Sequence, residues 1–315
     1  MNGHAENSRT ETAPVVVTPA VLREWELPSA GASKYDRGQV VVVGGDRRSP
    51  GAALLAAEAS LRVGAGRLTI ALAEGAAIMA AVALRESGVV ALPERDGQIV
   101  GSSIEAARDD LEPADAVLVG PGLDDAEQTL ALLDRLPALV GDETTVVLDA
   151  YALGVLPRSK ARDAFAGRLV LTPNPGEATM LLEAMDDGAG SDDEGAGSGD
   201  DGDGSADDDI ERTVRALARA YDAVVSCQSR VAHPDGRLWL VGTGHGGLGT
   251  SGSGDVLSGA IAGLCARGVA REEAAVWATY AHAAAGDRLA VEVGPLGFLA
   301  SELLLELPRV LVEVG

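Results

Sequence analysis

Lysine is almost missing from this chain. Lys34 and Lys160 are the only two, although lysine and arginine together number 25. Aspartate and glutamate number 48, giving a formal net charge of −23. Nucleic-acid phosphates are held by a basic footprint, so this balance argues against a nucleic-acid partner. An acidic, lysine-poor but well-patterned chain is what a protein kept soluble in concentrated salt is expected to show. A small anionic ligand is still compatible, because backbone amides hold phosphate without net positive charge. Cysteine is as scarce: Cys227 and Cys265 form no CxxC pair, and His4, His233, His245 and His282 are scattered. Neither a disulfide framework nor a structural zinc site is expected. Aromatic residues make up 3%, so the core must be built from Ala, Val and Leu. No uncharged apolar run reaches the roughly 20 residues of a membrane span. The polar N-terminus has no apolar signal segment. A cytoplasmic protein without a membrane partner is therefore expected.

What is present is an alternation. "QVVVVGG" is a short apolar run ending in glycines, which predicts a buried strand. "GAALLAAEASLRVGAG" follows with helical spacing and a glycine stop, and "RLTIALA" is again a strand. "DAVLVGPG", "TTVVLDA", "GRLVLTPNPGE" and "DAVVSCQ" continue the rhythm. Apolar strands separated by helical stretches predict βαβ units and a mostly parallel sheet. In "VAHPDGRLWL" the Pro234–Asp235–Gly236 turn predicts a hairpin, expected at the sheet edge. Residues 254–289 and 296–311 read as helices. The 315 residues suffice for one large domain. The expectation is a three-layer α/β domain over 14–315 with a helical C-terminal flank, behind a disordered tail at 1–13.

Asp186–Asp209 stands apart. It holds eleven acids, seven glycines, no base and no apolar residue larger than alanine. Such a segment cannot bury enough surface to offset its chain entropy, so a disordered insertion is expected. The spacing of an EF-hand calcium loop does not occur in it.

The chemistry concentrates in "GTGHGGLGTSGSGDVLSG", residues 242–259. Gly242, Gly244 and Gly247 match GxGxxG, but the further strand of a dinucleotide fold never follows. "GGDRRSPG" lacks the GK[ST] of a Walker A loop. "SGSGD" instead precedes the helical "VLSGAIAGLCARG", which puts Ser253, Gly254 and Asp255 at a helix N-terminus. Free amides and the helix dipole stabilise an anion there. A carboxylate at that place can take the proton from a hydroxyl attacking phosphorus. A plain N-cap accounts for Asp255 equally on spacing alone. In the same way Ala52 opens a tightly packed helix, "GPG" at 120–122 makes a turn, and Pro175 and Glu177 suit a helix first turn. His245 and His282 read as structural.

"SGSGDVLSGAIAGL" resembles the GTGD signature of the ribokinase-like superfamily. In chain order, "VVVVGGDRRSPGAALLAAEASLRVGAGRLTIAL", "VGPGL", "VVLDAYAL", "LTPNPGEATMLL" and "TYAHAAAGD" are similar to the ADP/ATP-dependent NAD(P)H-hydrate dehydratase family. The likeness covers about residues 34–310. It implies a ribokinase-like fold and a repair lyase that phosphorylates the ring hydroxyl of hydrated NADH or NADPH from ADP or ATP, then eliminates phosphate. It implies Asp255 as the base, Ala52, Gly122, Asn174 and Asp255 at the substrate, and Gly252, Ser253, Gly254 and Arg230 at the nucleotide. It also implies Mg2+, with Glu177 orienting the ion or its water shell. A homo-oligomer is expected.

The chain departs from the family pattern at four places. DADAL is "DAYAL", so Tyr151 replaces an acid; HPGE is "NPGE", with Asn174 for histidine; GTGD is "GSGD". The lysine–glycine pair near the nucleotide phosphates falls on Cys227 and Gln228, leaving Arg230 as the nearby charge. Two alternatives stay open: another small-molecule kinase of the superfamily, and a catalytically weak nucleotide-binding module.

Overall fold

The computed structural model describes residues 12–29, 31–186 and 206–315. Among the described residues twelve strands are formed: β1 (Val15–Val17), β2 (Gln39–Val43), β3 (Arg67–Ala73), β4 (Gly88–Leu92), β5 (Glu94–Arg95), β6 (Gln98–Ile99), β7 (Ala116–Val119), β8 (Thr145–Leu148), β9 (Leu169–Leu171), β10 (Ala223–Cys227), β11 (Arg230–Ala232) and β12 (Leu238–Val241). Ten of them make one sheet in the order β1-β12-β11-β10-β9-β8-β7-β2-β3-β4. Pairing is parallel throughout except on the two sides of β11. β5 and β6 form a separate small hairpin.

The strands alternate between two cores, as a sheet covered on both faces requires. Val40, Val42, Ile70, Leu118 and Val147 face one apolar cluster. Val41, Val43, Val117, Val119, Val146 and Leu148 face the other. The helices are α1 (Pro19–Glu24), α2 (Pro50–Arg62), α3 (Glu74–Ala83), α4 (Arg108–Leu111), α5 (Ala126–Leu133), α6 (Tyr151–Val155), α7 (Ala161–Ala164), α8 (Pro175–Asp186), α9 (Ala206–Tyr221), α10 (Ser253–Ala266), α11 (Arg271–Glu292) and α12 (Ala300–Val314). Buried residues of α2, α10, α11 and α12 belong to the first cluster, those of α5, α6, α8 and α9 to the second. Among the described residues no helix is long and apolar enough to cross a membrane.

Four features differ from expectation. The β11–β12 hairpin is not at the edge: β1 pairs with β12 in parallel register, Val15 opposite Trp239. Three valines are too short a run to show a period, so only the sheet reveals them as a strand. Thr12, expected in the tail, is also fixed. Its hydroxyl donates to Gly236 O at 3.1 Å, and its carbonyl accepts from Arg215 Nη2 at 2.9 Å. The acidic insertion lies largely outside the described residues, but its ends are helical. Asp186 closes α8, and residues 206–209 form the first turn of α9. Acids at a helix N-terminus favour that turn through the macrodipole. The helical stretch at 254–289 is two helices, broken where Gly268 takes φ 86°.

Candidate active site

The parallel strands all end at one edge of the sheet, and loops leaving such an edge are where open α/β sheets bind ligands. "GGD" leaves β2, "GPG" leaves β7, "DAY" leaves β8, "TPN" leaves β9, "QS" leaves β10 and the glycine-rich loop leaves β12. Every stretch quoted for the family likeness, apart from "TYAHAAAGD", therefore reaches the same edge.

Two helix N-termini meet there. Gly252 is the N-cap of α10, and neither α10 nor α2 has a side-chain cap. The helices lie side by side in parallel: Leu55 Cδ1 abuts Gly252, Ala56 abuts Gly259 and Ser60 abuts Gly263. Their uncapped amides and dipoles thus point the same way, an arrangement that favours an anion. Ala52 sits in the first turn of α2. The Gly120–Gly122 turn packs against it: a Cβ on Gly122, whose φ is +75°, would lie 2.3 Å from Ser49 O. Only glycine fits that turn.

Asp255 occupies the first turn of α10, half-buried, and burial raises its carboxyl to about 6. Asp149, at the end of β8, is buried and raised to about 7. Burial is the main cause; the charges of Asp255 and Glu177 add to it, and hydrogen bonds from Ser258 and Thr172 oppose it. Thr172 Oγ1 donates to Asp149 Oδ1 at 2.9 Å. Asp149 is thus within electrostatic reach of both Asp255 and Glu177. Clusters of raised carboxylates mark places where proton chemistry is set up. Sequence reasoning missed Asp149, although an acid directly after the buried run "TTVVL" was the available signal.

Ala150 follows Asp149 at φ 49°, ψ −122°, a backbone conformation that costs an alanine about 1–3 kcal/mol. Replacing Ala150 with glycine is expected to raise the melting temperature by about 2 °C, after the entropy lost by glycine. Thermal unfolding followed by circular dichroism measures it; a fall would show that the turn is unstrained.

Other expected residues have mixed placements. Asn174 caps α8: its Oδ1 accepts from Glu177 N at 3.0 Å, while Glu177 Oε2 accepts from Asn174 N at 2.8 Å. This reciprocal pair is a capping box. Burial raises the Glu177 carboxyl, and the Asn174 amide opposes that shift. Gly254 is exposed with open space at its Cα. Ser253 faces inward: its hydroxyl lies 2.9 Å from His282 Nε2, and its amide donates to Thr250 O. Ser253 O is 3.0 Å from the same nitrogen. A carbonyl only accepts, so His282 Nε2 carries the hydrogen. Burial lowers that imidazole to about 4, so it stays neutral and serves as an anchor. Asp287, five residues on, accepts from Thr243 Oγ1 and, at 2.9 Å, from Gly244 N. The "TYAHAAAGD" stretch on α11 thereby ties both ends of the glycine-rich loop.

Asp46 is a second residue that sequence reasoning missed. It is 2% exposed. Oδ1 accepts from Ile99 N at 2.7 Å and Oδ2 from Asp124 N at 2.9 Å. Its own amide donates to Gly122 O at 2.9 Å. One carboxylate therefore locks three loops together behind the Gly122 turn. Burial raises it to about 6 against those two amides.

Cys227, where the family likeness implies a lysine, is fully buried, and burial pushes its thiol up to about 11. It cannot serve as a cation or as a thiolate at neutral pH. Gln228 keeps a left-handed backbone, φ 54°, in the two-residue turn between β10 and β11. Glutamine thus stands in a backbone conformation suited to glycine.

The profile of the NAD(P)H-hydrate dehydratase family matches residues 40–309. The chain belongs to that family. An ADP-dependent (S)-NAD(P)H-hydrate dehydratase of Xanthomonas campestris is 42% identical over 299 residues, covering 94% of this chain and 95% of that protein. A bifunctional NAD(P)H-hydrate repair enzyme of Moorella thermoacetica is 34% identical over 91% of this chain, which spans 52% of its length. Against the structure of the ADP/ATP-dependent NAD(P)H-hydrate dehydratase of Bacillus subtilis, co-crystallised with ATP and Mg2+, the TM-score is 0.71 at 26% identity. The match covers 96% of this chain and 99% of that one. A ribokinase-like superfamily protein of Enterococcus faecalis, at 20% identity and TM-score 0.73 over 100% of this chain and 99% of that one, shares the fold. The fold is therefore ribokinase-like.

Proposed function

We propose that this chain is an ADP-dependent (S)-NAD(P)H-hydrate dehydratase, a hydro-lyase of metabolite repair. The observation that carries the reading is Asp255, a half-buried carboxylate raised to about 6 at an uncapped helix N-terminus. The ring hydroxyl attacks the terminal phosphorus of the donor while Asp255 takes its proton. The bond between that phosphorus and the AMP leaving group breaks. The ring C–O bond then breaks, phosphate departs, and loss of a ring proton restores the reduced nicotinamide. Hydroxide is a poor leaving group and phosphate a good one, so phosphorylation comes first. Ala52, Gly122 and Asn174 line the dinucleotide side; Gly252, Gly254 and Arg230 serve the donor, with Ser253 anchoring the turn on His282.

A Mg2+ ion fits this site. Among the described residues no group of three or more ligating side chains forms a cage, and Mg2+ on a nucleotide needs only one or two carboxylates beside phosphates and water. Glu177 and Asp149 are the carboxylates that would hold it, directly or through water, and it would offset phosphate charge. Cys227 favours a second reading, a nucleotide-binding module with weak turnover.

The test is turnover in concentrated KCl with Mg2+, offering hydrated NADH with ADP or ATP and following the reduced-nicotinamide absorbance. Recovery with ADP supports the dehydratase. A stable phosphorylated product identifies a kinase instead, and nucleotide binding without either product identifies the weak module.

A further inference from the structure

Arg230 is the cation of the donor side, and it is already occupied. It opens β11 opposite Cys227 on one strand and Leu240 on the other. Ser229 O accepts from Val241 N at 2.8 Å, so Arg230 borders the point where the glycine-rich loop begins. Its guanidinium and the Glu177 carboxylate both act on the Cys227 thiol, which puts it on the edge that carries Asp149 and Asp255. The side chain is only 12% exposed. Nη1 donates to Ser229 Oγ at 3.0 Å, and Nε is buried with no partner. Nη2 lies 2.7 Å from Asp207 Oδ1. Asp207 stands in the first turn of α9, near the end of the acidic segment, and its side chain is 72% exposed.

We infer that Asp207 is a positioning residue of the donor site, whose carboxylate holds the Arg230 guanidinium until a phosphate of the nucleotide takes its place. The inference rests on the reading of Arg230 as the donor-phosphate cation. The two partners are unequal. Arg230 is buried along its length and short of hydrogen-bond acceptors, so it gains from a ligand with several oxygens. Asp207 is solvated, and an exposed ion pair is weak enough to be exchanged. On a chain this acidic, an unoccupied buried guanidinium would be drawn to other carboxylates; Asp207 gives it one defined partner and one defined orientation. Each nucleotide that binds must then displace Asp207, which weakens apparent donor affinity.

The experiment is a double-mutant cycle on ADP binding to the full chain, by calorimetry in moderate KCl with Mg2+. Arg230→Gln is expected to weaken ADP about tenfold, as loss of a charge-assisted contact does. Asp207→Asn is expected to tighten ADP about threefold to fivefold, the range for an exposed pair. In the Arg230→Gln background, Asp207→Asn should change nothing. The tightening should shrink in concentrated KCl, where exposed charges are screened. Asp209→Asn removes a charge from the same helical turn, pairs with Arg212 rather than Arg230, and should leave ADP affinity unchanged. KM for the hydrated dinucleotide should stay constant in Asp207→Asn. If Arg230→Gln weakens ADP while Asp207→Asn does not tighten it, the positioning role is wrong and the donor-side reading of Arg230 stands. If Arg230→Gln leaves ADP binding unchanged, that reading fails and the inference falls with it. Equal tightening by Asp209→Asn would overturn it as well, since net charge alone would then be the cause.

Discussion

Asp255→Asn is expected to lower kcat for dehydration by about 10²- to 10⁴-fold, the contribution typical of a positioned general base. ADP binding should persist, because the amide side chain has nearly the same shape and the cradle at the start of α10 is backbone. An interaction used only in the reaction shows itself as loss of kcat without loss of binding. The pH dependence has a definite sign. Asp255 acts as a base only when ionised, and burial holds its carboxyl at about 6. Below that value kcat/KM should fall about tenfold per pH unit, and above it the profile should level off. Asp149 sits higher, at about 7, partly because Asp255 is charged. In Asp255→Asn that repulsion is gone, so the Asp149 carboxyl should titrate at lower pH. Steady-state kinetics across pH 5 to 8, with ADP affinity measured alongside, check all three points. Full activity in Asp255→Asn would leave the carboxylate as a helix cap and no more.

Gly259→Val is expected to cost about 3 kcal/mol or more of folding stability, at the upper end for overpacked cores. A Cβ at Gly259 would lie 2.0 Å from the Ala56 carbonyl oxygen, and one at Gly263 would lie 2.6 Å from Ser60 O. Backbone meets backbone here, so no rotamer change relieves the clash; α10 must move away from α2. Stability of a domain is only about 5–15 kcal/mol in total, so the loss is a large share of it. The same displacement would carry Asp255 away from the amides of α2, so activity should fall further than the folded fraction. Gly254→Ala, on the same helix with nothing near its Cα, serves as the comparison. It should leave stability unchanged or raise it by up to about 1 kcal/mol. Urea unfolding of the three proteins measures the difference. A Gly259→Val midpoint close to the parent's would mean that the two helices are not held at backbone contact.

The two cases show where legibility stopped. Asp255 was readable because its glycine neighbours and the apolar helix behind it are adjacent in the chain. Gly259 and Gly263 were readable only as helix residues of low propensity; their partners Ala56 and Ser60 are some two hundred positions away. Asp46 and Asp149 each follow a buried strand, but a carboxylate after a strand is also an ordinary turn residue. Burial, and the amides of Ile99 and Asp124 in one case, gave them meaning. Asp287 and His282 read as parts of an alanine-rich helix until the glycine-rich loop was found tied to both. For Ser253, proximity in sequence to the phosphate cradle hid the fact that its hydroxyl points inward to His282.

By itself, then, the sequence determined the alternation of strands and helices, the parallel sheet, the helical C-terminal flank and the helix N-terminus that carries Asp255. These depend on periodicity and on neighbours within a few residues, which the order of amino acids states directly. The tertiary structure alone decided that β1 closes the sheet edge, that Asp149 lies within reach of Asp255 and Glu177, and that Arg230 is held by Asp207. Those facts depend on which distant segments meet and on how far water is excluded between them, and burial, hydrogen bonding and charge take their values only once the chain has closed.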